Sequence, residues 1–387
     1  MQLLAIYIHI PFCQRKCPYC DFNTYAGREG QYDAFVEALA RDIRQTGERL
    51  ARPRVRTVFL GGGTPTVLEP RHLEQIFAAL HVGFELLPDA EITSEANPGT
   101  VDASRFEALR ALGVNRLSMG VQSFDDTELR FLGRIHTADE AQAAYDLARR
   151  VGFENINLDF MFGLPEQSPH TWQHTLETAI ALGPEHLSLY SLSVEPGTPL
   201  AAWVARGQVS QPDPDLAADL YDIAREMLGE AGFEHYEISN WARGPLGDDL
   251  LPSHAARHNL VYWRNEPYLG FGPGAHGWFG GMRRAVVKHV GEYIRRVEAN
   301  EGYWAMKEPI DSALEMGETM MLGLRLIRAG VERERFRERF GVDVADVWPE
   351  AMAELGAHGL IEVTPQRVRL TPRAILIANE VFAEFLP

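Results

Sequence analysis

The sequence has little cysteine, few cations and no long apolar run, and each shortage excludes a class of protein. Only three cysteines occur, Cys13, Cys17 and Cys20, all within one short segment. That leaves no disulfide framework for a secreted domain and points to a metal or cluster in a reducing compartment. No apolar stretch approaches the ~18 residues of a membrane-spanning helix, so no transmembrane segment is expected, while peripheral membrane association stays compatible with the composition. Met1-Gln2-Leu3-Leu4 runs straight into a β-like stretch, without the basic start, apolar core and cleavage site of a signal peptide, and the reading is cytoplasmic. Lys and Arg number 37 against 54 Asp and Glu, a net charge of −17. That excess repels a phosphate backbone, and with the cations scattered no nucleic-acid partner is expected. Repeats and low-complexity tracts are also missing.

What is present, up to about residue 200, is an alternation of short β-branched or apolar runs with helix-period segments, the pattern of parallel βα units. Strands are expected at Ala5–Ile10, Val55–Leu60, Ala90–Glu95, Arg116–Val121, Ile156–Phe160 and His186–Ser191. Helices are expected near 31–51, 70–81, 102–112, 138–151, 168–182 and 213–231. The fold class is therefore α/β: a partial (β/α)6 TIM-like barrel over 1–231, a small sheet extension or cap over 232–304, and a winged-helix-like domain over 305–387. The cap carries an expected hairpin, Ala275–Phe279 and Met282–Val287, turning at Gly280-Gly281. The last segment carries another hairpin near Pro365-Gln366, with mixed charges that favour packing or partner contact over DNA binding.

The unusual residues follow the C-terminal ends of the strands: Pro11-Phe12-Cys13, Gly61-Gly62-Gly63-Thr64-Pro65, Asn97-Pro98-Gly99, Gln122-Ser123-Phe124-Asp125, Gly163-Leu164-Pro165 and Glu195-Pro196-Gly197. In a parallel barrel that rim is where ligands collect, so the six loops describe one site. Cys13-x3-Cys17-x2-Cys20 offers three thiolates to a [4Fe–4S] cube and leaves one iron open to an outside chelator. A zinc site completed by His9 is the alternative. A c-type haem attachment is excluded, because Asp21 stands where that motif requires histidine.

The cysteine motif, with Tyr19 just before its last member, identifies the chain as resembling the radical S-adenosylmethionine (SAM) superfamily. Tyr7-Ile8-His9-Ile10-Pro11-Phe12-Cys13, Gly61 to Thr66, Gly120-Val121-Gln122-Ser123-Phe124 and Phe162-Gly163-Leu164-Pro165 are similar to the branch that contains oxygen-independent coproporphyrinogen III dehydrogenase and the haem chaperone HemW. The resemblance spans essentially the whole chain. It implies SAM on the open iron, one-electron reduction of its sulfonium, and an electron donor for the cluster. It also implies that Tyr7, Tyr19, Gly62 and Glu95 surround a first SAM, and that Gly63, Thr64, Gln122, Arg134 and Asp159 surround a second, SAM-like site. From the residues alone, a glycine turn suits a ligand that chelates through small polar groups, because side chains would obstruct it. Glu95 and Asp159 could equally be paired with Arg116 or Arg134, and Gln122 could cap the next helix.

Within that branch, two features separate the chain from the dehydrogenase pattern: Phe22 stands where a further cysteine is typical, and strand one begins within five residues of the start. His258-Asn259-Leu260-Val261-Tyr262-Trp263 matches the H-N-x-x-Y-W motif of the chaperone. The resemblance implies haem on His258, delivered to an acceptor protein. The residue-level alternative is a core histidine beneath aromatics, with His254 and His276 as further candidates. The reading is thus a haem-binding chaperone of radical SAM type; the alternatives are the dehydrogenase, which would oxidatively decarboxylate porphyrinogen propionates through a 5′-deoxyadenosyl radical, and a radical SAM enzyme acting on RNA. Acidic charge and the lack of an evident RNA-binding appendage disfavour the last.

Overall fold

Six of the strands run parallel: β1 (Leu4–Ile10), β2 (Arg54–Gly62), β3 (Glu85–Ala96), β4 (Arg116–Gln122), β5 (Ile156–Phe162) and β6 (His186–Ser191). The structure is a computed structural model and describes residues 3–387. The expected helices stand at Tyr32–Arg49, Pro70–Gly83, Ala103–Ala111, Ala138–Arg150, Pro169–Leu182 and Pro214–Glu230. Along β1, Ile6, Ile8 and Ile10 are fully buried, and the period-two alternation leaves Tyr7 and His9 on the opposite face. The same alternation gives each strand an apolar side and a polar side.

Two short helices escaped the periodicity, Asp126–Phe131 and Pro199–Ala205, because neither completes two turns. Their caps were nonetheless written locally: the Asp125 side chain accepts from the amides of Thr127 and Glu128, and Thr198 accepts from that of Ala201. β3 is twelve residues long, reaching well upstream of the expected Ala90–Glu95.

The chain divides into two compact units, one comprising residues up to Met227 together with Pro267–Glu308, the other Leu228–Glu266 together with Pro309–Pro387. The three-segment reading cuts the chain differently, since its 232–304 segment is shared between both units. In the first unit, β7 (Tyr268–Phe271) pairs in parallel with β1, and β8 (His276–Phe279), β9 (Met282–Val286) and β10 (Trp304–Pro309) continue the sheet outward. The sheet of this unit thus runs β10-β9-β8-β7-β1-β2-β3-β4-β5-β6. The hairpin turns at Gly280 and Gly281, both at positive φ, as the glycine pair leads one to expect.

The second unit holds the helix Arg257–Trp263 and a winged-helix arrangement. Its helices Ser312–Gly323, Arg333–Phe340 and Pro349–Ala357 accompany a small antiparallel sheet of Val331–Glu332, Arg367–Leu370 and Ile361–Val363. Met320, Leu324, Phe336, Val344, Val368 and Phe382 form its core. Among the described residues no helix is long and apolar enough to cross a membrane.

One buried charge ties the outer layer of the first unit together. Asp42, on helix Tyr32–Arg49, is 1% exposed and accepts hydrogen bonds from the hydroxyls of Tyr293 and Tyr303. Burial pushes its carboxyl up to about 6, against the pull of those donors. A folded chain that holds this proton more tightly than the unfolded chain gains stability from it below the unfolded value, and loses that gain as pH rises through about 6. Urea unfolding is therefore expected to show a loss of about 2–3 kcal/mol between pH ~4 and pH ~7 from this group, which Asp42→Asn flattens. Equal slopes in both proteins would count against the assignment.

Candidate cluster and cofactor site

The cysteine loop is built from its two ends inward. The amide of Tyr25 donates to Pro11 O at 2.8 Å and that of Cys13 to Tyr25 O at 3.0 Å, closing residues 11–25 into a stirrup above β1. The turn after β2 fastens to the same base: Gly63 N donates to Ile10 O at 2.8 Å and Thr64 N to Phe12 O at 2.7 Å. Such close backbone contact requires glycine, since a Cβ on Gly63 would strike the carbonyl oxygens of Ile10 and Phe12, and one on Gly62, at φ +101°, would strike the His9 imidazole. The glycine run, read from sequence as room for a ligand, is demanded first by the protein's own packing.

Cys13, Cys17 and Cys20 are free and half-buried. Two of the sulfurs receive donors from other strands' loops: Thr64 Oγ1 approaches Cys13 Sγ at 3.7 Å and Arg134 Nη1 approaches Cys17 Sγ at 3.6 Å. Burial pushes the Cys13 and Cys20 thiols up, so metal binding there would release protons. Three accessible thiols in one loop, two of them facing donors, fit a cluster whose irons each take a different thiolate. Against the zinc alternative stands the engagement of its fourth ligand, His9. Both nitrogens of His9 are engaged. His9 Nε2 donates to Asn23 O at 3.0 Å while Nδ1 accepts from the Tyr7 hydroxyl at 2.9 Å. Burial lowers the His9 pKa, in keeping with that neutral tautomer.

Below the loop, the polar faces of β3, β4 and β5 carry the other expected residues. Glu95 is half-buried, and one oxygen of its carboxyl group accepts from Gly62 N at 3.1 Å. Burial first, and then the neighbouring Asp159, push it up to about 8. Asp159 accepts from Ser118 Oγ at 3.1 Å and Asn157 Nδ2 at 2.8 Å, and burial raises it as well. Neither carboxylate forms an ion pair with Arg116 or Arg134. Arg134 instead donates to Gly120 O at 2.6 Å, and its Nε is buried with no partner. An orphaned guanidinium nitrogen beside the cysteine loop has the character of a ligand-facing group.

Gln122 sits at φ +74° at a register shift between β4 and β5, with its side-chain nitrogen over Gly120 next to Arg134. A left-handed non-glycine residue at a bulge is the kind of local strain found at binding sites. It does not cap the following helix, a role taken by Asp125. Tyr19 packs on Leu132, Met161, Leu164 and Leu200, and Tyr7 stacks on Phe59. The structure thus brings Tyr7, Tyr19, Gly62, Gly63, Thr64, Glu95, Gln122, Arg134 and Asp159 into the first unit, on and beneath the rim that bears the cysteines.

His258 lies in the second unit, on helix Arg257–Trp263 and not in a sheet extension. It is 1% exposed, and its Nε2 meets the Tyr262 hydroxyl at 2.8 Å, with the two rings edge-on. His254 lies on the preceding turn against Arg243 O, and His276 opens β8 with its ring exposed. Sequence reasoning passed over Asn23, Ser118, Asn157 and His186. The available signal was the Asn157-x-Asp159 pair, two polar residues at strand spacing in an otherwise apolar run.

Comparison with known proteins agrees with this geometry. Residues 7–179 match the model of the radical SAM superfamily and residues 311–377 that of the HemN C-terminal domain. The chain is 38% identical to the heme chaperone HemW of Bacillus subtilis, covering 99% of both chains. It is 42% identical to heme chaperone HemW of Escherichia coli, over 71% of this chain and 70% of that one. The solved structure of the coproporphyrinogen III oxidase HemN from Escherichia coli, a radical SAM enzyme, superposes with a TM-score of 0.84 at 24% identity, covering 99% of this chain and 90% of that one, a likeness of fold.

Desolvation and the neighbouring Asp159 raise the Glu95 carboxyl to about 8, which favours its protonated form at pH ~7. A cationic ligand beside it would lower that value and expel the proton. Calorimetry of SAM binding in buffers of different ionisation heat should show net proton release at pH ~7, fading above pH ~9 and missing in Glu95→Gln. Buffer-independent heats would remove Glu95 from the ligand's surroundings.

Proposed function

We propose, for a chain that belongs to the heme chaperone HemW family of the radical SAM superfamily, that it binds haem and passes it to an acceptor protein in the cytoplasm, with a [4Fe–4S] cluster on Cys13, Cys17 and Cys20 and SAM in the barrel. The observation that supports the reading is the stirrup of three half-buried thiols with no fourth ligand among the described residues, in a chain whose likeness to heme chaperones covers nearly its full length. When bound, the cluster supplies an electron to the SAM sulfonium, and an external donor must replenish it.

The protein's own residues then have definite tasks. Tyr7 and Tyr19 close the apolar flanks, and Gly62 N–H is already spent on Glu95, which leaves that carboxyl oriented toward the barrel. Thr64 and Arg134 donate to cysteine sulfurs, and hydrogen bonds of that kind tune a cluster's potential. Gln122 and Asp159 offer polar groups deeper in the barrel to a second, SAM-like ligand.

With all three cysteines committed, no thiolate is left for haem iron, and the ligand must be a histidine, methionine or tyrosine. His258 is the one proposed. Its Nε2 is held by Tyr262, so ligation exchanges one hydrogen bond for a metal bond and moves the Tyr262 hydroxyl aside. Dehydrogenase activity is disfavoured by Phe22, an exposed side chain where a further cysteine is typical of that enzyme.

Anaerobically reconstituted protein, given haem and coproporphyrinogen III separately, is expected to bind the first and leave the second unconverted. Stoichiometric conversion would restore the dehydrogenase reading. His258→Ala should weaken haem binding by about tenfold or more and shift the Soret band while iron and sulfide stay unchanged; an unaltered spectrum and affinity would return His258 to a packing role. Cys17→Ala should lose the cluster. Stoichiometric zinc without iron or sulfide in the parent protein would overturn the cluster.

A further inference from the structure

We propose that Ser118 and Asn157 are positioning residues that aim the Asp159 carboxylate at a SAM molecule in the second, deeper of the two sites, an inference that rests on the reading of the barrel as a SAM site. Neighbouring strands place the groups side by side: Ser118 on β4 is in register with Asn157 on β5, and Asn157 with His186 on β6, while Asp159 is in register with Ser188. All four supporting residues are at most 7% exposed.

The direction of the hydrogen bonds among Asp159, Asn157 and Ser118 follows from donor and acceptor chemistry. Asp159 as a carboxylate can only accept, so the Asn157 group facing Oδ1 at 2.8 Å must be its NH2. That fixes Asn157 Oδ1 on the other side, where it accepts from His186 Nδ1 at 2.6 Å and Ser188 Oγ at 3.1 Å. The second amide hydrogen goes to Ser118 Oγ at 2.8 Å, which turns the serine hydroxyl's own hydrogen onto Asp159 Oδ2 at 3.1 Å. The Asn157 amide gives two bonds, and its oxygen faces the donors His186 Nδ1 and Ser188 Oγ, the latter also beside Asp159. Both carboxylate oxygens of Asp159 are gripped, and the whole chain of donors points one way, toward an acceptor at position 159.

Such a network accommodates the anion and opposes its protonation. Glu95 lacks any comparable support, having a single amide donor. Two carboxylates share the interior, yet only Asp159 is held by its neighbours in a fixed orientation as an acceptor. The remaining lone pairs of each oxygen are left for a hydroxyl or ammonium group of the ligand. The ionisable groups that act on Asp159 are Glu95 from β3 and Arg116 from β4, neither in an ion pair with it, and the Ser188 hydroxyl from β6 is a further neutral donor beside it. The neutral donors Asn157 and Ser118 outweigh the Arg116 charge in holding the anion, and removing one should raise the proton affinity of Asp159.

The test uses the full chain with its cluster reconstituted anaerobically and SAM as the probe, with affinity and stoichiometry read by equilibrium dialysis from pH ~6 to ~9. Ser118→Ala is expected to weaken SAM binding about tenfold, the loss being greatest at the acid end of the range because a lost donor favours the protonated form of Asp159, with iron and sulfide unchanged. Ser118→Thr, which keeps the hydroxyl, should restore both affinity and pH profile. Asn157→Leu should act in the same direction and more strongly; if it fails to fold, the serine pair alone decides. Wild-type affinity in Ser118→Ala, or an equal loss at every pH that threonine does not rescue, would overturn the positioning role while leaving the SAM site standing. Failure of the parent protein to bind SAM would instead overturn the reading of the barrel on which the inference rests.

Discussion

Two backbone hydrogen bonds, from Gly63 to Ile10 and from Thr64 to Phe12, join the turn after β2 to the root of the cysteine loop. Much of the rest hangs from them. They fix where Cys13 leaves the sheet, bring Thr64 to its sulfur, and bury the His9 ring between the turn and the loop. Their cost is a stretch of sequence that tolerates no side chain, because two chains in such contact leave no space for a Cβ. From the far side, Asn23 binds the loop to the carbonyls of Pro273 and Lys288, so the 267–308 segment serves as a buttress for the cysteines.

Beneath that junction the barrel interior sets an electrostatic problem. Glu95 and Asp159 are half-buried, each raised by the desolvation of its carboxyl group and Glu95 further raised by its neighbour. A protein selected for stability alone would gain by replacing them with apolar residues, because isolated buried carboxylates are expensive. Their retention here, with a polar scaffold of Ser118, Asn157, Ser188 and His186 beneath one of them and an unpartnered Arg134 nitrogen nearby, is the pattern of an interior shaped around a polar ligand. Fold likeness to the coproporphyrinogen III oxidase HemN says little about which chemistry follows, since one fold hosts many sites. The distinguishing residues are local: Phe22 beside the cysteines, and the His258–Tyr262 pair on its helix in the second unit.

Sequence by itself determined a good deal. Alternating apolar and polar residues along each short run specify a strand with two unlike faces, and helix-period segments between them force a parallel sheet, so the βα units and their decorated rim were legible. The spacing of three cysteines within one loop was equally local, and so was the motif around His258. Short helices such as Asp126–Phe131 lacked enough length to show a period, although Asp125 marked the cap.

Tertiary structure alone decided what depends on contacts between distant segments. Whether Glu95 and Asp159 pair with Arg116 or Arg134 could not be read from the chain, because strand register, not sequence distance, sets which side chains face one another. Register placed Ser118 and Asn157 against Asp159 and turned Arg134 toward Gly120 and Cys17. The glycines of the β2 turn carry no label saying whether they serve a ligand or a neighbouring strand, and only the close approach of Ile10 and Phe12 shows the second demand. The chain also does not follow its own order in space: residues 267–308 return to β1 while 228–266 join the C-terminal unit, since a strand pairs wherever an open edge has matching register. Local pattern fixes what each segment can be; long-range pairing fixes which segments meet.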